Sequence, residues 1–254
     1  MQGDVELIDA FLKTVSSDDV GPFRSGPFDG FSSGVHVEWV TGSGVHDLNP
    51  ILRRISNCLW SALTTIHRTD FHYQMKQSGE LNRHLWSMYT ASDISQYHVE
   101  VRSTLDLVAN VVARLGARPG QIPSDSFNKL YSKLERKDPA IMKRVGEPLS
   151  RIVRGCTWFP EFKGVRDAIV HKGAHTMVFY VEDKITFQVH DGGRNRIHYD
   201  KLMHNQNVVD FELYCPFITL HLYQLLDDVA EYGKTTLRAP PPDSGTKAYH
   251  PGLG

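Results

Sequence analysis

The chain has 254 residues, 41% of them hydrophobic and 22% charged, with a formal net charge of -1 at pH 7. That is ordinary globular composition, long enough to bury a core without a disulfide or a metal, and it argues against a protein that coats nucleic acid through bulk positive charge. The three cysteines, Cys58, Cys156 and Cys215, lie far apart and form no C-x-x-C pair, which excludes zinc-ribbon and thioredoxin-like readings. An odd cysteine count, no signal peptide and no apolar run near the roughly 18 residues of a membrane helix lead to the expectation of a soluble, cytoplasmic protein with no membrane contact.

In chain order, residues 4–16 read as a short amphipathic helix, with Val5, Ile8, Phe11, Leu12 and Val15 at helical spacing. Glycines and prolines from Val20 to Gly34 read as loop, and 35–40 (VHVEWV) alternates like a short strand. A long helix is expected from about Asp47 to Gln77. Leu48, Ile51, Leu52, Ile55, Leu59, Ala62, Leu63 and Ile66 form its stripe, Asp47 or Asn49 its cap, and Gly79 its stop. Two further helices are expected over 81–90 and 93–115, the second ended by Gly116 and Pro119. Ser124 is read as the cap of a helix over 125–137. Pro139 opens another to about Arg154, and Trp158 to Lys172 gives the next, closed by Gly173. The period then shifts to two: 176–182, 184–190 and 195–199 read as strands, with Asp191-Gly192-Gly193 as a turn. A last helix is expected from about Asn207 to Tyr232.

Residues 1–45 are therefore expected to be an N-terminal helix and Gly/Pro-rich segment. Residues 46–232 read as one mainly α domain with a small antiparallel β-meander inserted at about 176–199, and 233–254 as a disordered tail. Trp39, Trp60, Trp86 and Trp158 read as core anchors, and His67, His72 and His84 as surface or boundary residues.

One segment gathers chemistry: 162–173 puts Arg166, Asp167 and His171 near the end of one helix. Asp167 and His171 are four apart on one face, where a carboxylate can orient an imidazole and favour its protonated form. The helix dipole at the last turn favours a cation there as well. Arg166 lies about 140° around the helix from His171, so the two are expected to point apart and to need a neighbouring helix or a second subunit to form one site. Arg102 and Asp106, four apart on the preceding long helix, are expected to pair. Lys163, Lys172, Arg194 and Arg196 would form a phosphate-binding patch if the meander folds over this helix; otherwise they are a solvated charged face. The bland reading of Arg166 and His171 is an ion-paired helix end. His171 and His175 are four apart, but Gly173 intervenes, so no metal or cofactor site is expected.

The sequence R-D-x-x-x-H at 166–171, followed by Gly173, resembles the R-[polar]-x-x-x-H motif of the HEPN superfamily. Arg102-Ser-Thr-Leu105-Asp106-Leu-Val-Ala109 resembles the R-x-x-L-D-x-x-A segment found in the preceding long helix of some members. The resemblance spans roughly 94–232. It implies an up-and-down helical bundle that dimerises about the motif helices. It also implies metal-independent endoribonuclease activity, or an RNA-associated role in defence or stress. Carried over, Arg166 would contact the scissile phosphate, His171 would serve in acid–base chemistry, Asp167 would fill the polar position, and Arg102 and Asp106 would support them. Some HEPN proteins are not catalysts, which leaves a helical interaction or ligand-sensing module as the alternative.

Overall fold

The computed structural model describes residues 48–116, 121–182, 184–191, 194–197, 199, 202–205 and 207–237. The expected helix over 4–16, the loop at 20–34, the strand at 35–40, Trp39, the cap Asp47, the turn glycines 192 and 193 and residues 238–254 of the expected tail lie outside these residues; 233–237 of that tail are instead the end of the last helix.

The fold is mainly α with a small antiparallel sheet. Helix α1 (Leu48–Gln77) and helix α2 (Arg83–Leu115) pack along each other as an antiparallel hairpin. The two helices expected over 81–90 and 93–115 are one. Ala91 and Ser92 carry no breaker, and burying Trp86, Ile94, Tyr97, Val101, Leu105, Val108 and Val112 against the rest of the core favours an unbroken rod. Asn82 caps α2 by accepting the Leu85 N–H at 3.0 Å.

Helix α3 (Phe127–Glu135) starts two residues later than expected, with Ser126 rather than Ser124 as its cap. The cause is tertiary: Asp106 Oδ1 of α2 accepts the Phe127 N–H at 2.8 Å, and Arg102 Nη2 donates to Ser126 Oγ at 3.2 Å. The helix expected from Pro139 to Arg154 is two, α4 (Pro139–Val145) and α5 (Glu147–Arg154). They are hinged at Gly146, whose φ of 87° and ψ of 150° no ordinary side chain adopts cheaply. Asp138 opens α4 by accepting from Ala140 and Ile141 N–H at 3.0 and 3.2 Å.

Helix α6 (Phe159–His171) follows, and the chain turns out of it at Gly173, φ 63°. The Lys172 and Ala174 N–H groups both close on Ala168 O, which caps its C-terminus.

Strands β1 (His175–Val181) and β2 (Lys184–Asp191) pair antiparallel from His175↔His190 to Val181↔Lys184. The far edge of β2 carries β3 (Arg194–Asn195) at one end and β4 (Val209–Asp210) at the other. The expected third strand at 195–199 shrinks to two residues. Its continuation leaves the sheet because Ile197 is drawn into the core and Tyr199 donates its hydroxyl to Trp158 O at 2.8 Å. Strand β4 was not legible in the sequence, since two residues carry no period.

Helix α7 (Phe211–Leu237) begins four residues later than the expected Asn207, because 209–210 are spent on β4. Buried Asp210 accepts the Glu212 N–H at 2.9 Å and pairs with Lys184 of β2 at 2.9 Å, joining sheet and helix. Trp86, Tyr97, Phe127, Phe159, Phe162, Phe187 and Tyr214 centre the core. Trp86 and Trp158 are buried as expected; Trp60 is not, standing 63% exposed on the outer face of α1.

Candidate functional site

The site is built on the last two turns of α6. Phe162, Val165 and Ala168 bury one face of this helix, which leaves Arg166 and Asp167 at its flank and His171 exposed at its end. Arg166 and His171 do not point apart. Arg166 Nη1 donates to His171 Nε2 at 2.7 Å and to Asp167 Oδ1 at 3.3 Å. They meet because the Arg166 guanidinium, on its long stem, spans more than a helical turn along the surface, and His171 sits where the helix ends. Asp167, in turn, does not orient His171. Its carboxylate takes Lys163 Nζ at 2.7 Å and Arg166. Partial burial raises the Asp167 pKa, but these two cations outweigh it and hold the carboxyl below its ordinary range. A guanidinium has only donors to offer, so in place of the expected Asp167–His171 couple the Arg166 guanidinium bridges both side chains.

Arg102 and Asp106 pair as expected, at 3.1 Å. Both also hold the start of α3. Asp106 caps that helix and Arg102 braces Ser126, with its guanidinium 5.5 Å from the Phe159 ring centroid. The two segments read separately in the sequence meet here. Arg102 feels the charges of Arg166 and Asp167, and Asp106 that of Arg166, across the α2–α6 contact. Burial is the leading influence on both, lowering the Arg102 pKa and raising that of Asp106. Two guanidinium N–H groups, Arg102 Nη1 and Arg166 Nε, are buried and meet no acceptor. Among Arg102, Asp106, Lys163, Arg166 and Asp167, three cations face two carboxylates.

Lys163 belongs to the cluster but is already engaged by Asp167, and Lys172 is exposed beside His171. The register His175↔His190↔Asn195 sets the backbone of Arg194 and Arg196 two strands, about 10 Å, across from the start of β1, at the same end of the sheet as the end of α6.

Two further polar groupings were missed. His98, fully buried between α2 and α7, donates from Nδ1 to Ile94 O at 2.7 Å, accepts the Tyr214 hydroxyl at 2.9 Å and stacks on Phe162 at 5.5 Å. Burial pulls its pKa down to about 4. On α1, Arg68 and His72 both turn to buried Asp93 of α2. Their i,i+4 spacing was the only signal, and it does not reveal a carboxylate from another helix.

Among the described residues, no helix is long and apolar enough to cross a membrane, and no group of three or more His, Cys, Asp or Glu side chains could hold a metal ion. No family model, no curated protein and no solved structure matches the chain.

Proposed function

We propose that this protein is a HEPN-like, metal-independent endoribonuclease that acts in the cytoplasm as a homodimer in RNA-associated defence or stress. The observation that carries the reading is the contact of Arg166 with His171 at the exposed end of α6. RNA brings its own nucleophile, so cleavage requires a base, a cation at the phosphate and a proton for the leaving oxygen. A phosphodiester competes with His171 for the Arg166 guanidinium, which prefers bidentate oxygen acceptors. That exchange frees the Nε2 lone pair to take the 2′-OH proton. The 2′-oxygen then bonds to phosphorus, the bond to the 5′-oxygen breaks, and that oxygen takes a proton from water or from a second imidazole. The products are a 2′,3′-cyclic phosphate and a 5′-hydroxyl. The unpaired N–H groups of Arg102 and Arg166 support a site that receives an anion. Lys172, Lys163, Arg194 and Arg196 would steer the strand.

The test is a mixed RNA pool incubated in EDTA with wild type, Arg166→Ala and His171→Ala. Wild type should cleave, and each substitution should slow cleavage by about 10²–10⁴-fold with far-UV circular dichroism unchanged. Intact RNA with wild type, and a lowered Tm in both variants, would instead favour a non-catalytic interaction or ligand-sensing module. That second reading has its own support: Lys163, Arg166, Asp167 and His171 already pair with one another. In addition, a cavity of about 270 Å³ opens between α5 and α7, lined by Trp158, His221, Leu225, Asp228 and Arg151 among others.

A further inference from the structure

The closed end of the α1–α2 hairpin carries a second constellation. Asp93, with a side chain only 7% exposed, holds Arg68 Nη2 on one oxygen at 2.5 Å. Its other oxygen lies 3.2 Å from His72 Nδ1, at ion-pair distance but without hydrogen-bond alignment. Four buried polar atoms without a hydrogen-bond partner follow this seam: His72 Nδ1 from α1, and Trp86 Nε1, Thr90 Oγ1 and Asp93 Oδ2 along one stripe of α2. A buried carboxylate that fixes a guanidinium while nearly half of the Arg68 side chain stays exposed is the arrangement that presents an arginine to an oxyanion. Around this unit the rings are exposed: Phe71 at 57% and Tyr89 at 44%, with Met88 beside them. Phe71, His72 and Tyr89 run as a row, their centroids 6.2 and 5.2 Å apart in succession. The nearby carboxylates do not oppose an anion. Asp93 is engaged, and Asp70 lies on the side of α1 that senses Glu212 of α7.

We propose that this end of the hairpin binds single-stranded nucleic acid, with Phe71 and Tyr89 as stacking faces for bases, the half-buried His72 ring packed between them, and Arg68 as the phosphate contact. Rows of aromatic rings interleaved with cations bind single strands in this way, because every base offers a π-face and every linkage a charge. A surface built to bury against protein has a dry apolar centre and a polar rim, whereas here the middle ring of the row, His72, lies against the Arg68–Asp93 ion pair. The site is separate from the α6 cluster. Asp93 and Arg102 are nine residues apart on α2, about 13 Å along its axis and on opposite sides of it. The inference rests on RNA as the ligand class of the proposed function, but not on cleavage.

The experiment uses the full chain and a fluorescein-labelled, single-stranded 12-mer whose riboses are 2′-O-methylated, so that it cannot be cleaved. Anisotropy titrations should show Phe71→Ala and Tyr89→Ala each weakening binding by roughly 5- to 100-fold, in line with the loss of one stacked base. Phe71→Trp should restore it, since it keeps a ring. Both positions are exposed, so Tm should hold within a degree or two. Equal affinity in all variants, or no binding by wild type, overturns the proposal. So does an alanine effect confined to the oligomeric state on size exclusion, which would mark a contact between copies. Binding lost in these variants while wild type never cleaves RNA supports this site and overturns only the catalytic reading.

Discussion

Single residues in this protein are decided by what their burial does to a proton or a charge. His98 is the clearest case. Its ring is held neutral, with Nδ1–H on Ile94 O and Nε2 accepting from Tyr214, and its pKa is pulled down to about 4. Unfolded, the same imidazole takes up a proton near 6.5. Between these values only the unfolded chain binds the proton, so stability falls as pH drops from 6.5 toward 4, by about 3 kcal/mol in all. Urea unfolding at pH 7 and pH 4.5 should show the loss, and His98→Gln should remove most of it. A wild type and a His98→Gln that decline in parallel would show the acid sensitivity to lie elsewhere. At the candidate site, an arginine, not the expected carboxylate, is the partner of the histidine. Spacing along one helix identified the participants Arg166, Asp167 and His171 but not the pairing. The pairing depends on Lys163 winning Asp167 at 2.7 Å.

At the scale of elements, backbone conformation separates glycines of opposite meaning. Gly146 joins α4 to α5 at φ 87° and ψ 150°, where a Cβ is strained whatever the space around it. Gly164 sits inside α6, where a Cβ would meet nothing within 4 Å. Gly146→Ala should therefore cost about 1–3 kcal/mol. Gly164→Ala should gain about 0.5–1 kcal/mol from helix propensity. Paired urea titrations check both; equal and opposite-to-expected shifts would refute the hinge. The same scale explains most departures from the sequence reading. A helical period running from Pro139 to Arg154 conceals the Gly146 break, since the pattern of apolar residues continues across it. A gap in the pattern at Ala91 and Ser92 conceals the continuity of α2, since neither residue breaks a helix. Strand β4 is two residues long and exists only because β2 offers an edge.

In the whole molecule, α6 owes its position to the core beneath it. Phe162 is fully buried, stacks on His98 of α2 and meets Trp158 edge-on at 5.8 Å. Phe162→Ala should cost about 3–5 kcal/mol. Because the same ring seats the helix that carries Arg166 and His171, hydrogen exchange at 165–171 should accelerate more than at 101–112 of α2. Uniform acceleration would mean that α6 has no independent freedom. The sequence by itself determined the fold class, the apolar stripes of α1 and α2, the β1–β2 hairpin and the stop at Gly173. Each of these follows from local rules: hydrophobic period, the left-handed φ that glycine accepts at least cost, and the two-residue alternation of strands. Tertiary structure alone decided the contact of Arg166 with His171 and the use of Asp106 as a cap for α3. It also decided the loss of a third full strand to Ile197 and Tyr199, and the gathering of Arg68 and His72 on Asp93. Those outcomes join residues from different helices, and the competition for one carboxylate or one ring is settled only when the helices have packed.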